Sequence, residues 1–434
     1  MSDIQPNEIF ISKTQKSNLN IFWAGYCIYV LAYCLGTTLL YISMIQIQVM
    51  QFLGIALVFY GAINIVKFRL KDPYLKTLFV VYFLWLMGIL IRGIRFDFNF
   101  IKESIFDPGY GLFIYFVPLV LLFPQNFAFY RKLFNVIFLL SIFYLLFSGI
   151  FIKHVFDPDR RSTLAQGIVE NFSTLSYPVG FMLLTYLYHE KKKKLFTFGV
   201  MMIMLLIAVY RARRGMIFMC VTTLLFYLMV YLIVSKKTFM VIYLAIIIAI
   251  VGALYYSSLY NQSNFGIFNF LVERGDEDTR TGVEVAFNED MSPTEWIIGK
   301  GMSGDYYCPN IDALDSTGYR NVIETGYLQI ILKGGIVSLV LLLLIIVPAF
   351  IKGVFYSKNI LSKGAGLWIL LWIFYLYPTV SNGFSMHYMI VWTCVGICYN
   401  KKIRQLTDGQ VKEFLSEKKS KSVLSKSKFI QQPS

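Results

Sequence analysis

The densest group of chemically useful residues is the segment Tyr210-Arg-Ala-Arg-Arg-Gly215, which holds three arginines within four positions. Arginine presents a planar fork of N–H donors that can bind phosphate through two hydrogen bonds, so the segment predicts an anionic ligand. Arg211 and Arg214 are three residues apart and would share a helical face, whereas Arg213 would point elsewhere. Gly215 would allow a bulky headgroup to approach the backbone. The alternative is an ordinary charged turn.

A second candidate is Glu324, a carboxylate in the segment Asn321-Val-Ile-Glu-Thr-Gly-Tyr-Leu-Gln329. A carboxylate held near arginines can act as a general base and take a proton from an attacking sugar hydroxyl. Arg320 and Tyr327 flank Glu324 and are assigned to the same site, Arg320 as a further phosphate ligand. The alternative gives Glu324 only a structural role, because Asn321 and Glu324 have the spacing of a helix N-cap and the N3 position of a capping box.

Weaker candidates lie elsewhere in the chain. Arg160 and Arg161 follow Asp157-Pro-Asp159, which has the spacing of a metal-binding DxD motif, although the proline and the arginines favour a turn. Glu170 lies in or at the edge of an apolar run, where an acid usually has a partner, and an outer arginine is the expected one. His387 could serve as a second acid/base group, although a lone histidine is more often a packing residue. No metal site is predicted, because the three histidines lie far from any cysteine pair.

These residues belong to a chain that is much more apolar than a soluble domain. It is 57% hydrophobic and 15% charged, whereas about a quarter of a soluble domain is charged. Uncharged runs such as 243–254 and 336–350 are apolar on every helical face, which suits contact with lipid. About a dozen apolar stretches each come near the roughly 20 residues that a membrane-spanning helix needs. The sequence therefore predicts an all-α polytopic membrane protein with about twelve transmembrane helices and one long external loop. The predicted spans lie near residues 20–41, 48–66, 76–94, 109–124, 133–152, 166–188, 195–210, 215–234, 239–258, 322–350, 364–380 and 385–400.

The basic residues predict the orientation of these spans. With both termini in the cytoplasm, 26 of the 40 basic residues fall on the inner side, in agreement with the positive-inside rule. The inner set contains 23 lysines and 3 arginines, whereas the outer set contains 4 lysines and 10 arginines. Because both residue types satisfy the rule, the arginine excess outside predicts an anionic ligand there. The alternative is that the outer arginines pair with outer acids or with lipid headgroups.

The predicted organisation has four parts, which are an N-terminal membrane bundle of about nine helices at 1–258, an external loop at 259–320, about three C-terminal membrane helices at 321–400 and a basic cytoplasmic tail at 401–434. The loop is longer than a connection requires, and long loops of this kind are usually functional. It also contains 11 of the 25 acidic residues. For its glycine cluster, Gly299, Gly301 and Gly304, a plain turn is favoured over a phosphate loop because no strand precedes it.

This arrangement resembles the superfamily of O-antigen polymerases and O-antigen ligases, which includes the polymerases of capsular and exopolysaccharide repeat units. The similarity lies in Arg-Arg-Gly opening a span at 213–215, in Glu-Thr-Gly-Tyr-Leu-Gln leading to Gly334-Gly335, and in the long loop before the last three spans. The resemblance implies an enzyme acting on undecaprenyl-diphosphate-linked glycans at the outer face of a bacterial cytoplasmic membrane. It implies no metal, nucleotide sugar or other cofactor. The implied partners are the lipid-linked glycan, membrane lipids and a chain-length regulator, and no nucleic acid.

Within this resemblance, a polymerase is favoured over a ligase. The ligases carry a His-Asn-type pair about eleven residues before the glycine, where this chain has Glu324-Thr325 before Gly335. The implied mechanism places the donor diphosphate against Arg211, Arg213 and Arg214 and uses Glu324 to deprotonate the acceptor hydroxyl. The resemblance also implies inversion at the anomeric carbon.

Two other classes of protein are alternatives. A flippase or transporter of lipid-linked glycans would need polar residues along helix faces at the membrane midplane, whereas charge here gathers at the outer rim. A metal-dependent glycosyltransferase that uses lipid-linked sugars usually carries acidic residues in its first outer loop, and residues 42–47 contain none.

Overall fold

The computed structural model describes residues 12–38, 43–159, 162–235, 280–309, 318–380 and 383–416. Several predicted features lie outside the described residues. They are the span near 239–258, the first part of the external loop to residue 279, Arg160 and Arg161, and the tail from residue 417.

The described chain is built almost entirely from helices. In chain order these are α1 Lys13–Gly36, α2 Met44–Ile65, α3 Pro73–Gly93, α4 Phe98–Phe106, a 3-10 helix Leu112–Leu122, α5 Phe127–Ile150, α6 Ile152–Val155, α7 Thr163–Ser176, α8 Val179–Leu184, a 3-10 helix Tyr186–Tyr188, α9 Lys191–Tyr210, α10 Arg214–Ser235, α11 Thr281–Asp290, α12 Pro293–Ile298, α13 Gly326–Phe355, α14 Ile360–Tyr375, α15 Met386–Tyr399, α16 Lys401–Gln405 and α17 Asp408–Leu415. Two short strands, β1 Tyr306–Tyr307 and β2 Tyr319–Arg320, lie between α12 and α13.

Seven of the described helices are long and apolar enough to cross a membrane, namely α1, α2, α3, α5, α9, α10 and α13. Three shorter apolar helices are the 3-10 helix Leu112–Leu122, α14 and α15. The predicted span near 166–188 is divided into α7 and α8 at Pro178, where the missing backbone N–H prevents one continuous hydrogen-bond ladder. These helices confirm the prediction of a helical polytopic membrane protein, whereas the count of about twelve spans stays a prediction.

The lysine-rich loops meet at one end of the helix bundle. The Asn359 side chain donates to the carbonyls of Ile403 and Leu406, at 2.7 and 3.0 Å. Asp408 accepts a hydrogen bond from the backbone N–H of Ile360 at 2.8 Å. These bonds join the end of α13 and the start of α14 to the C-terminal helices. The loop before α14 and the C-terminal helices therefore lie at the same end of the bundle, and the alternation of all twelve spans and the assignment of this end to the cytoplasm stay predictions.

The described part of the external loop is a small folded unit, which we call the cap (residues 280–309 and 318–325). β1 and β2 pair antiparallel, with Tyr306 opposite Arg320 and Tyr307 opposite Tyr319. The hairpin is the one departure from the all-α prediction among the described residues. An apolar cluster made by α11, the hairpin and the start of α13 holds the cap together, and it includes Val283, Phe287, Tyr306, Ile323 and Leu332.

The glycine cluster attaches the cap to a break in α13. Gly335 has a φ of +70°, which interrupts the helix and leaves carbonyls of the preceding turn without helical partners. The backbone N–H of Lys300 donates to the carbonyl of Leu332 at 2.8 Å, and that of Gly301 donates to Lys333 at 3.0 Å. The predicted turn is present, since the N–H of Gly304 donates to the carbonyl of Gly301 at 3.0 Å, and the segment in addition forms backbone hydrogen bonds with a membrane helix.

The same segment also docks on α3. The N–H of Met302 donates to the carbonyl of Ile89 at 3.2 Å, and the Arg92 guanidinium donates to the carbonyls of Ile298 and Gly299. A Cβ added at Gly93 would lie 2.0 Å from the nitrogen of Met302. Glycine is required here because the two backbones approach more closely than a side chain would permit.

Substitution of Gly335 by alanine is expected to destabilise the protein by roughly 3 kcal/mol or more, from left-handed backbone strain and steric overlap. The added Cβ would lie 2.0 Å from the Ile297 carbonyl oxygen. The matched control is Gly88→Ala on α3, where a Cβ meets no atom within 4 Å among the described residues. Thermal unfolding of both variants in detergent, followed by tryptophan fluorescence, measures the difference. Equal melting temperatures would contradict the docking role.

The predicted topology can be tested by labelling single cysteines. All six native cysteines are buried, including Cys308 in the cap, so their background labelling should be low. Val285 on α11 is 48% exposed, and Val285→Cys is expected to react with a membrane-impermeant maleimide in intact spheroplasts. Lys401→Cys, at the exposed start of α16, is expected to react only after permeabilisation. The opposite pattern would invert the topology.

Candidate functional site

A cavity of about 600 Å³ opens at the end of the bundle opposite the lysine-rich loops. Its walls come from α1, the segment 108–110, α7, the turn between α9 and α10, the start of α10, the cap and the segments 378–380 and 383–387. Four arginines and two glutamates line it, namely Arg213, Arg214, Arg280, Arg320, Glu170 and Glu324. Their formal charges sum to +2, so the cavity favours an anionic ligand.

A tight turn between α9 and α10 places two of these arginines. Ala212 has a left-handed φ of +49°, and its N–H donates to the carbonyl of Val209 at 3.1 Å. The N–H of Arg213 donates to the carbonyl of Ala208 at 2.9 Å. This pair of bonds is the Schellman motif that ends many helices, with alanine where glycine is usual. The turn reverses the chain, and α10 then begins at Arg214.

The turn directs Arg211 away from the cavity. Its side chain is fully buried, and Nη1 donates to the carbonyls of Asp157 and Asp159 at 3.1 and 3.2 Å. Nη2 donates to the carbonyl of Ser162 at 3.4 Å. The prediction that Arg211 binds a diphosphate is wrong, because its side chain is buried and both terminal nitrogens donate to the carbonyls of Asp157, Asp159 and Ser162. The predicted shared face of Arg211 and Arg214 is also wrong, because the chain between them is a turn and not a helix.

Arg213 and Arg214 remain at the cavity wall. Arg213 Nη2 lies 3.1 Å from Glu170 Oε1, so the arginine partner expected for Glu170 is Arg213. Arg214 is exposed and begins α10. The N-terminal turn of a helix carries unpaired N–H groups and a partial positive charge, which adds to the attraction of these arginines for an anion.

Glu324 lies at the cavity wall just before α13. The N-cap of α13 is Thr325, and the Thr325 hydroxyl donates to Glu284 Oε1 at 2.6 Å. The capping-box interpretation of Asn321 and Glu324 is therefore wrong, because Glu324 precedes the N-cap and not the third helical residue. The Glu324 side chain is 60% exposed and is available to a ligand in the cavity.

Arg280 is a cavity residue that the sequence did not single out. Its Nε lies 3.7 Å from Glu324 Oε2, and its Nη2 donates to the carbonyl of Pro378 at 2.9 Å. Arg280 thus connects the cap with the segment that follows α14, and it orients the Glu324 carboxylate. Its only sequence signal was membership of the outer arginine set, because no motif surrounds it.

The remaining predicted residues fall in different places. His387 lies at the buried inner part of the cavity, with 5% of its surface exposed. The Tyr327 hydroxyl donates to the carbonyl of Ile373 and does not line the cavity, so its assignment to the site is wrong. Asp157 Oδ1 accepts the N–H of Asp159 at 2.9 Å, which confirms the turn. Arg160 and Arg161 lie outside the described residues. No group of three or more His, Cys, Asp and Glu side chains in the described ranges could hold a metal ion.

The wall segment 108–110 is shaped by the residue that precedes it. Asp107 Oδ1 accepts the N–H of Gly109 at 2.7 Å. Burial raises the pKa of the Asp107 carboxyl, and the hydrogen bond from Gly109 opposes that rise. This compact turn brings Pro108 and Tyr110 to the cavity opposite Arg320 and Glu324 in the lining.

Arg211→Ala is expected to destabilise the protein by about 3 kcal/mol or more, because a buried guanidinium that donates to three backbone carbonyls is lost. Arg211→Lys should recover only part of that loss, since one ammonium does not match the planar fork. The control, Arg214→Ala, changes an exposed side chain and should alter stability by less than about 1 kcal/mol. Thermal unfolding and the amount of protein in the membrane measure these effects. A wild-type melting temperature for Arg211→Ala would refute its structural role.

A scan against protein-family models, a search of curated proteins and a search of solved structures each find no match to this chain. The resemblance to the O-antigen polymerase and ligase superfamily therefore rests on the residues themselves.

Proposed function

We propose that this protein polymerises undecaprenyl-diphosphate-linked oligosaccharide repeat units at the outer face of a bacterial cytoplasmic membrane. The observation that carries the proposal is the cavity, in which arginines from the bundle and from the cap accompany two exposed carboxylates, Glu170 and Glu324, of which Glu324 is the proposed base. The product is an O-antigen, capsular or exopolysaccharide chain.

The bundle side of the cavity supplies a site for the donor diphosphate. Arg213, Arg214 and the first turn of α10 face the cavity, and Arg320 adds a fourth source of positive charge from β2. A diphosphate leaving group gains negative charge as the glycosidic bond breaks. Donors already fixed in position stabilise that charge better than water does, because they need no reorganisation.

The cap side supplies the base. Glu324 takes the proton of an acceptor hydroxyl while the hydroxyl oxygen attacks the anomeric carbon of the donor sugar. The bond from that carbon to the phosphate oxygen breaks, and undecaprenyl diphosphate leaves with the bonding electrons. Arg280 holds the Glu324 carboxylate toward the cavity through the 3.7 Å ion pair. The growing chain is thereby transferred from its carrier to the next lipid-linked unit.

Two related functions would use the same cavity differently. A ligase would share the donor site and transfer the glycan once to a different acceptor, and it would yield no ladder of repeat units. A flippase would need charged residues at the membrane midplane. Five of the six charged lining residues here belong to a helix start, a connecting segment or the cap, and the sixth, Glu170, lies within α7 and pairs with Arg213. Membrane extracts of a deletion strain separate these functions. Loss of a polymerase leaves single units on the outer face, whereas loss of a flippase leaves them on the inner face.

Glu324→Gln is expected to lower the rate of polymerisation by roughly a hundredfold or more, which is the usual scale for a general base. The amide keeps the size of the side chain, so binding of the lipid-linked donor should persist. The control is Glu289→Gln, which changes an exposed carboxylate of α11 outside the cavity lining. Both variants are reconstituted in liposomes with lipid-linked units extracted from the deletion strain. Gel analysis of the products measures the rate of polymerisation for each variant. Polymer of normal length at a normal rate would remove Glu324 from the mechanism.

A further inference from the structure

His387 lies at the inner end of the cavity among aromatic rings. It is the second residue of α15 and lines the cavity. Its ring centroid lies 4.8 Å from that of Trp368, 5.5 Å from that of Tyr375 and 6.4 Å from that of Tyr177. The charged residues of the cavity are more exposed than His387, so the cavity has a charged rim and an aromatic floor.

Neither ring nitrogen of His387 has a hydrogen-bond partner among the described residues. Two polar groups beside it are engaged elsewhere. The Tyr375 hydroxyl donates to the carbonyl of Met219 at 2.9 Å, and Trp368 Nε1 donates to the backbone carbonyl of His387 at 3.4 Å. Buried polar side chains nearly always have partners, because an unpaired group forfeits its hydrogen bonds to water. A group that enters the cavity from outside is therefore the expected partner of this imidazole.

We propose that the floor of the cavity is a sugar subsite, in which His387 pairs with a hydroxyl of the sugar attached to the lipid diphosphate. The proposal rests on the proposed function and identifies which part of the substrate lies deepest. A neutral imidazole has one N–H donor and one acceptor nitrogen, and a hydroxyl has the complementary pair. The rings of Tyr26, Tyr177 and Phe384 also line the cavity and offer apolar faces to the C–H side of a sugar ring.

The separation of the charged rim from the aromatic floor excludes the reverse placement, in which the diphosphate would lie at the floor and the sugar at the rim. A phosphate at the floor would meet aromatic rings and one imidazole, whereas the four arginines of the cavity lie at its rim. A charged group gains most where several fixed cations face it, so the diphosphate belongs at the rim. The first sugar then extends inward toward His387. In this arrangement His387 determines specificity, because a site built to bind a hydroxyl strongly disfavours a ligand that lacks it.

The test compares two probes, undecaprenyl diphosphate and the undecaprenyl-diphosphate-linked repeat unit extracted from the deletion strain. Wild-type protein in nanodiscs is expected to bind the glycosylated probe at least about tenfold more tightly, the difference that one well-placed hydrogen bond to a buried group can supply. His387→Phe keeps an aromatic ring at the floor and should lose about tenfold of the preference for the glycosylated probe, the share supplied by the hydrogen bond, while its affinity for undecaprenyl diphosphate is unchanged. His387→Gln offers an amide donor and acceptor and should recover part of the preference.

Two controls separate this proposal from the proposed function. His154→Phe makes the same change outside the cavity lining and should keep the wild-type preference. Arg214→Gln changes the rim and should weaken the binding of both probes by the same factor. Equal binding of the two probes by wild-type protein, or an unchanged preference in His387→Phe, would overturn the sugar subsite while diphosphate binding stands. Failure of both probes to bind would overturn the proposed function itself. If His387→Phe unfolds at nearly the same temperature as the wild-type protein, its loss of preference for the glycosylated probe is not caused by unfolding.

Discussion

The backbone hydrogen bonds between residues 300–302 and the membrane helices hold the two halves of the cavity together. One half belongs to the bundle, with Arg213, Arg214 and Glu170, and the other half belongs to the cap, with its arginines and Glu324. The bonds exist because Gly335 breaks α13 and exposes carbonyls that an intact helix would use internally. Irregular backbone at membrane depth is tolerated only where protein satisfies its polar groups, and the cap satisfies them here. The position of the cap relative to the bundle, and hence the shape of the cavity, depends on this junction.

Four of the charged residues of the cavity form two ion pairs. Arg213 of the α9–α10 turn pairs with Glu170 of α7, and Arg280 pairs with Glu324 within the cap. Exposed pairs of this kind add little to stability. Their value lies in orientation, since each pair fixes a guanidinium or a carboxylate toward a shared space. A diphosphate entering that space would find arginines already in position, which lowers the reorganisation that binding requires.

The sequence was sufficient to predict a helical membrane protein and the ion pair of Glu170 with an arginine, but not the different positions of the arginines. Composition and apolar runs predict a helical membrane protein because backbone polar groups in lipid must be hydrogen-bonded within the chain, as they are in a helix. An acid in an apolar run predicts a basic partner, which is Arg213 for Glu170. Arg211 was misplaced because helical spacing was assumed across Ala212, and a left-handed alanine gives no sequence signal. Arg280 was missed because its contacts with Glu324 and Pro378 join residues that are far apart in the chain.

The two ends of the helix bundle differ in how completely their polar groups are hydrogen-bonded. This difference indicates which end would bind a ligand. At the lysine-rich end, Asn359 and Asp408 each form hydrogen bonds with more than one partner and so join the connecting segments at that end. At the cavity end, the chain retains a left-handed alanine at position 212 and an imidazole at His387 with neither nitrogen partnered among the described residues. Each of these features costs folding free energy. Such unfavourable features persist where a ligand or a reaction compensates for them, since natural sequences depart from local consistency mainly at functional sites. They occur together at the wall and floor of one arginine-rimmed cavity, so the same physical argument that explains the fold also makes this cavity the candidate ligand site.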